Sequence, residues 1–453
     1  MDNNKNMILE GNLLRAIMTL AIPIMLNNLI NSIYTLGDAF WVSKIGDTEV
    51  AAVNFVWPVS FLTISFAMGI SVAGAAIISQ YMGAHKHKEA QETAEQLYIF
   101  AILFGCFGSI VGMITTPAII HFMGAEGRLY SQSVAFLRIL FLELPFMFLM
   151  NIYFSINQSQ GDTLTPTVLN ASSAIFNIII EPLFIFTFNW GIEGAAIATV
   201  LSRVPFSIYA LYRLSKGCNV IKVHPFKWHP VKHKMLDLIR IGIPSSLGNC
   251  SVALGFMVLF IFVVKHGESA MTALSIGNRL NSLAFMPAVG IGAALSTITG
   301  QNLGANNPQR VVKAFKISLG VALAFLMVTC SILWIFSRDL VAIFTKTDVI
   351  LDMGSDYLKI LALSTWTIGF FNCSLGLFNG SGHTLHSMFI DTARLWFIRI
   401  PLIIFLGGYA ALGEKAIWYG ISLSNFVAAL LALLFAFSGV WKKPKIKDLS
   451  VLT

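Results

Sequence analysis

Twelve apolar segments, each long enough to cross a bilayer, decide what this chain can become. They cover roughly residues 14–43, 50–82, 95–122, 130–157, 163–188, 192–214, 238–265, 270–302, 311–337, 353–379, 385–408 and 416–440. About 20 apolar residues in a helix span the hydrocarbon core, and longer stretches tilt or project into water. Lipid offers the backbone no hydrogen bonds, so only helices or a closed barrel can cross it. The period-two alternation of a barrel is absent. Hydrophobic residues make up 56% of the 453 and charged residues 11%, whereas a soluble domain carries about 25% charged residues. The expected fold class is therefore an all-α membrane protein with twelve transmembrane helices.

The segments repeat at an offset of 221 residues. Ala21-Ile22-Pro23 matches Gly242-Ile243-Pro244, and Lys44 and Gly46 match Lys265 and Gly267. Gly69-Ile70 matches Gly290-Ile291, and Gln80-Tyr81-Met82-Gly83-Ala84 matches Gln301-Asn302-Leu303-Gly304-Ala305. Gly161-Asp162-Thr163-Leu164 matches Gly382-His383-Thr384-Leu385. Each half holds six spans, so both halves enter the membrane in the same orientation. That predicts two six-helix lobes related by a pseudo-twofold axis along the membrane normal, with a transport path between them. Residues 1–214 form the first lobe, 215–237 a connecting loop, and 238–453 the second lobe with a basic tail.

Net charge is +8, but its placement points to topology and not to nucleic acid. Lys and Arg gather on the side of the N-terminus, the loop 215–237 and the C-terminal tail. The opposite side holds Lys44, Arg128, Lys265, Arg338, Lys346 and Lys415. The positive-inside rule then puts both termini in the cytoplasm of a plasma (inner) membrane protein. The first apolar segment is too long for a cleaved signal and lacks a small-residue cleavage site. The five cysteines form no CxxC or metal-ligand spacing.

The most informative stretch is Phe176–Arg203. It sets Glu181 inside a bilayer-spanning segment, with Asn177 one helical turn earlier on the same face. Pro182 follows and frees a backbone carbonyl one turn back. The chain turns at Asn189-Trp190-Gly191 and re-enters with Thr199. Asp38 lies near the same end of the first segment. At about 1.5 Å per residue, these four polar groups fall in one band roughly 7–17 Å below the outer surface. An ionisable group at such depth is costly unless it binds something. The band reads as an oxygen-rich site for Na+ or a proton; the alternative reading is separate capping or interfacial residues. Pro23, lacking an amide donor, marks the candidate bend of the first helix.

Other charges lie within spans. Glu143 and Arg203 fall near mid-depth, either as an ion pair or with Glu143 binding a cationic substrate. Met147 and Tyr153 belong to an aromatic- and Met-rich fourth segment that suits either a cavity for apolar cations or plain packing. The second half is basic: Arg279, Lys359, Arg394 and Arg399 stand against Asp391. They either pair internally or attract an anionic group. None of the nine histidines lies near a span centre, which argues against a histidine proton relay.

Taken together, these motifs resemble the multidrug and toxic compound extrusion (MATE) transporters over essentially the whole chain. The resemblance rests on the 6+6 plan, Pro23 with Asp38, the Gln-x-x-Gly-Ala helix ends, Gly161-Asp162-Thr163 with Pro166, and Asn177-x-x-x-Glu181-Pro182. It implies a cation-coupling site at Asp38, Asn177, Glu181 and Thr199. The fifth-helix acid is commonly Asp in that family and is Glu181 here. Gln158 and Gln160 stand where an Arg is frequent. The implied function is a monomeric secondary exporter of organic, cationic and amphipathic compounds in exchange for H+ or Na+. Small molecules and membrane lipid are its partners. The alternative is a flippase or exporter of a lipid-linked or anionic precursor. No Walker A, HExxH or GxSxG pattern is present, so neither direct ATP drive nor an intramembrane enzyme is expected, and no cofactor.

Overall fold

In the computed structural model, residues 7–224, 229–409, 412–442 and 445 are described. Residues 225–228 of the central loop and most of the basic tail lie outside them. Among the described residues, nine helices are long and apolar enough to cross a membrane. They are Leu13–Ser43, Asp47–Gly83, His87–Phe122, Leu164–Thr187, Gly191–Lys216, Lys232–Val264, Glu268–Gly304, Pro308–Ile335 and Lys415–Phe437. Two further spans are bent pairs: Gly127–Leu142 with Leu144–Ser159 at 45°, and Asp348–Thr365 with Thr367–Gly380 at 49°. The eleventh span in chain order is interrupted, running Thr384–Thr392, then a π-helical stretch Ala393–Arg399, then Ile400–Tyr409. Large side chains such as Ile114, Phe122 and Phe397 stand exposed on these helices; lipid is the solvent that makes such a surface stable.

The sequence repeat is also a repeat of backbone landmarks. Helices open at Asp47 and Glu268, His87 and Pro308, and Gly127 and Asp348; they close at Gly83 and Gly304, and at Lys216 and Phe437. Each pair is separated by the same number of residues as the sequence matches. Left-handed backbone recurs in step, at His85 (φ 58°) and Asn306 (φ 55°), and at Gly161 (φ 86°) and Gly382 (φ 80°). Local chemistry explains the starts. Asn12 Oδ1 accepts from Arg15 N–H at 3.1 Å, Asp162 Oδ1 from Thr165 N–H at 3.0 Å and Asn307 Oδ1 from Arg310 N–H at 3.2 Å. Each satisfies an orphan donor of a first helical turn.

The chain condenses into two compact units, residues 26–246 and residues 2–25 with 247–453. Their boundary falls inside the first and seventh spans, two residues after Pro23 and two after Pro244. The first span nonetheless runs unbroken from Leu13 to Ser43 with Pro23 inside it. Its opening half buries Leu13, Ala16, Ile17, Leu20 and Ala21 in one core with Ile291, Leu295 and Phe378. Gly290 lets the eighth span approach Met25 closely, and Gly69 lets the second approach Ser246. The Gly/Ala/Ser runs thus permit close helix packing, as small residues do in membranes.

Polar clamps fasten the helix ends. Lys234 Nζ pairs with Glu92 Oε2 at 2.6 Å, His224 Nδ1 meets Glu95 Oε1 at 2.8 Å, and Gln96 Nε2 donates to the His229 carbonyl at 2.9 Å. These contacts tie the basic central loop to the start of the third span. In the second unit, Arg310 Nε donates to the Ile8 carbonyl at 3.1 Å and Nη2 to that of Gly11 at 2.5 Å.

The turn between the tenth and eleventh spans carries a pH-sensitive group. His383 is 3% exposed, and its Nδ1 lies 3.1 Å from Ser381 Oγ. Burial first, then the charge of Lys445 and the neighbouring His386, pulls its pKa from the ordinary 6.5 to about 4. Between those values the unfolded chain binds a proton that the folded chain refuses. Stability therefore falls as pH drops from 6.5 towards 4. Thermal unfolding in detergent across that window is expected to show a loss of about 1–2 kcal/mol that His383→Gln largely removes. An unchanged slope in the variant would assign the loss to other groups.

Candidate functional site

Three helices of the first unit each contribute a pair of polar residues spaced i, i+4. The first span supplies Tyr34 and Asp38, the fifth Asn177 and Glu181, and the sixth Thr199 and Arg203. Such pairs share a face, and the three faces converge. Gly37 brings the first span within contact of Ile178. Beyond Pro182 the fifth helix widens into a π-helical turn, Leu183–Thr187, and the chain reverses through Asn189 and Gly191, both left-handed. Gly194 then packs the start of the sixth span against the Phe184 carbonyl. Glu143 enters from the side. It is the single residue between the two arms of the bent fourth span.

Asn177 and Glu181 are fully buried. With the Asn177 amide assigned so that both ends are satisfied, Nδ2 donates to Glu181 Oε2 at 3.2 Å and Oδ1 accepts from the Thr199 N–H at 3.3 Å. The Asp38 carboxyl lies within hydrogen-bonding reach of the Glu181 carboxyl. Ionised carboxylates are acceptors only, and Glu181 Oε1 has no donor among the described residues. The pair is thus complete only when a proton or another cation joins it. Arg203 pairs with Glu143, Nε to Oε1 at 2.5 Å, and both lie in the electrostatic neighbourhood of the Tyr34 hydroxyl, which also adjoins Thr199. The result is one polar cluster in which Glu181, Asn177 and Thr199 are joined by hydrogen bonds, Arg203 and Glu143 by an ion pair, and Asp38 and Tyr34 lie alongside. It carries three carboxylates and one guanidinium.

The sequence expectations for Asp38, Asn177, Glu181 and Thr199 thus fall on residues that meet in space, and the Glu143–Arg203 pair adjoins them. Met147 lies one turn beyond Glu143, its N–H bonded to the Glu143 carbonyl at 2.9 Å. Tyr153 is buried farther along that helix, near Cys218 and Arg213 and apart from the carboxylates. Arg279 and Arg394 belong to the second unit, where Arg279 is exposed and Arg394 lies over the Phe371 ring at 4.3 Å. Sequence reasoning missed Tyr34, although its place one turn before Asp38 is the signal that finds it. It also missed a polar seam beneath the site. Asn170 Nδ2 donates to Asn27 Oδ1 at 2.8 Å and to Asn31 Oδ1 at 3.0 Å, joining the fifth span to the first.

The model of the MatE family matches residues 23–183 and again residues 244–405. The chain belongs to the MatE family. Its two matched stretches are the two halves of the repeat. MATE proteins are transporters, so the protein is a transporter and not an enzyme, and its fold is the twelve-helix, two-lobe MATE fold. The chain is 28% identical over 448 residues to the probable multidrug resistance protein YoeA of Bacillus subtilis, covering 96% of each chain. It is 23% identical to the FAD transporter of Shewanella oneidensis, covering 92% of each. A crystal structure of MATE in complex with MaL6 matches 98% of this chain and 99% of its own, with 25% identity and a TM-score of 0.90.

Proposed function

We propose that this transporter is a multidrug exporter that moves organic, cationic and amphipathic compounds outward in exchange for an inward proton. The observation that carries the reading is the facing pair Asp38 and Glu181, whose contact lacks a donor. One proton supplies that donor and removes one negative charge from a buried site. Loading then changes the cost of exposing the site to water, and so biases the protein between its states. Sodium is the second choice of ion. Asp38, Glu181, Asn177 and Thr199 offer oxygens to a hard cation, but Asn177 would have to turn its amide, giving up the Thr199 N–H contact. One charge crossing a potential of 100 mV yields about 2.3 kcal/mol. The termini face the cytoplasm and the membrane is the plasma (inner) membrane, a reading supported by the one-sided clustering of Lys and Arg. The protein acts as a monomer.

The test is purified protein in liposomes loaded with a cationic dye, under proton and sodium gradients imposed separately. Dye movement under the proton gradient alone is the expected result. Movement under sodium alone replaces the ion, and none under either gradient removes the efflux reading.

A second reading, export of an anionic or lipid-linked compound, is favoured by the buried Arg399 of the second unit. The FAD transporter among the relatives carries a phosphate-bearing cargo.

A further inference from the structure

We infer that the second unit holds an anion-binding site centred on Arg399, built to take a carboxylate or phosphate group. Arg399 closes the π-helical stretch Ala393–Arg399 and is 4% exposed. A guanidinium has five N–H donors and cannot shed its charge. Here Nε donates to Ser424 Oγ and Nη2 to Asn425 Oδ1, both at 2.8 Å. Nη1 makes no hydrogen bond to the described residues. Asn425 is itself held by Ser364, its Nδ2 lying 3.4 Å from Ser364 Oγ. Tyr357 stands beside Arg399, its hydroxyl donating to Asn278 Oδ1 at 2.5 Å. Every one of these partners is neutral.

A buried full charge among neutral groups is costly unless a counter-charge arrives. The surrounding residues supply none. Among the described residues no carboxylate forms an ion pair with Arg399. The nearby Asp391 faces Arg394, and Arg394 adds to the positive field at Arg399. Asp391 thus serves Arg394 and leaves Arg399 without a counter-charge.

The repeat sharpens the point. The first unit neutralises its half-buried Arg203 with Glu143. The matching positions in the second unit are Ser424 and Ser364, two hydroxyls. Where one unit carries its own counter-ion, the other offers a cation flanked by hydroxyl and amide groups. An ionised carboxylate or phosphate has oxygens to accept from Nη1 and from the unused N–H of Nη2, the bidentate geometry that a guanidinium favours. This deepens the anionic reading above, yet binding can be measured without transport.

The experiment uses the full chain in neutral detergent at fixed ionic strength. Melting temperature and tryptophan fluorescence are followed with benzoate, with inorganic phosphate, and with phosphatidylglycerol. Trp418 packs against Tyr357 with ring centroids 4.7 Å apart and reports on the site. A saturable shift is expected with at least one probe. A response to benzoate or phosphate identifies a soluble anion, and a response confined to phosphatidylglycerol identifies a lipid headgroup. Asn425→Asp places a carboxylate beside Arg399 and should weaken the response at least tenfold without lowering the melting temperature. Arg399→Gln should weaken it equally, and if that variant does not fold, Asn425→Asp alone decides. A folded protein that shows no saturable shift, or a shift that survives both substitutions, overturns the site. Anion binding with no dye movement under either gradient would instead remove the efflux reading and leave this one standing.

Discussion

Asp38→Asn should reduce gradient-driven export in liposomes at least tenfold, to near background, while the protein still inserts and binds dye. Asparagine mimics a carboxyl that is permanently protonated, so the site can no longer be emptied and refilled. Glu181→Gln should have the same effect, because the two carboxyls share one loading event. Two carboxylates this close in a low-dielectric interior do not both stay ionised without a cation, and their titrations are coupled. The double variant should therefore be little worse than either single one. If the two losses multiply, or if either single variant keeps its transport, Asp38 and Glu181 act as separate structural groups.

The second large effect concerns the pair beside them. Glu143→Leu leaves the half-buried Arg203 without its partner, and breaking an ion pair from one side costs about 3–5 kcal/mol when the pair is fully buried and less at this partly exposed one. The melting temperature should fall. Pairing Glu143→Leu with Arg203→Met should recover most of the loss, because replacing both partners by apolar groups removes the unmatched charge. Transport should respond differently. In the single variant the freed guanidinium, on the same helix face as Thr199, competes for the Asp38–Glu181 carboxylates and blocks the proton. The double variant should regain stability and some transport together. Recovery of neither would mean that Glu143 acts in some way other than neutralising Arg203.

The span count and the repeat were legible because hydrophobic length and positional identity are carried by the residues themselves. The convergence of Asn177 and Glu181 was legible because i, i+4 spacing defines a face. Helix ends were read short where the first turns are polar. The third span begins at His87 and not near residue 95, since Glu89, Glu92 and Glu95 ride on a helix end that clamps the central loop. The bend at Glu143 and the π-helical turns at Leu183–Thr187 and Ala393–Arg399 were not legible. They depend on how a helix is pressed by its neighbours, which no local pattern records. The Asn27–Asn31–Asn170 seam escaped for a related reason. Isolated asparagines in an apolar run look like noise until two helices align.

The division of the chain inside its first and seventh spans has a consequence for dissection. Each compact unit is completed by a helical end that the sequence assigns to the other half. Cutting at the central loop would yield fragments that are each short of a piece of core and each carrying an unmatched one. The residues Leu13, Ala16, Ile17 and Leu20 would have nothing to bury them in an amino-terminal fragment. The halves of this transporter are thus obligate exchangers, in the manner of a reciprocal strand swap within one molecule.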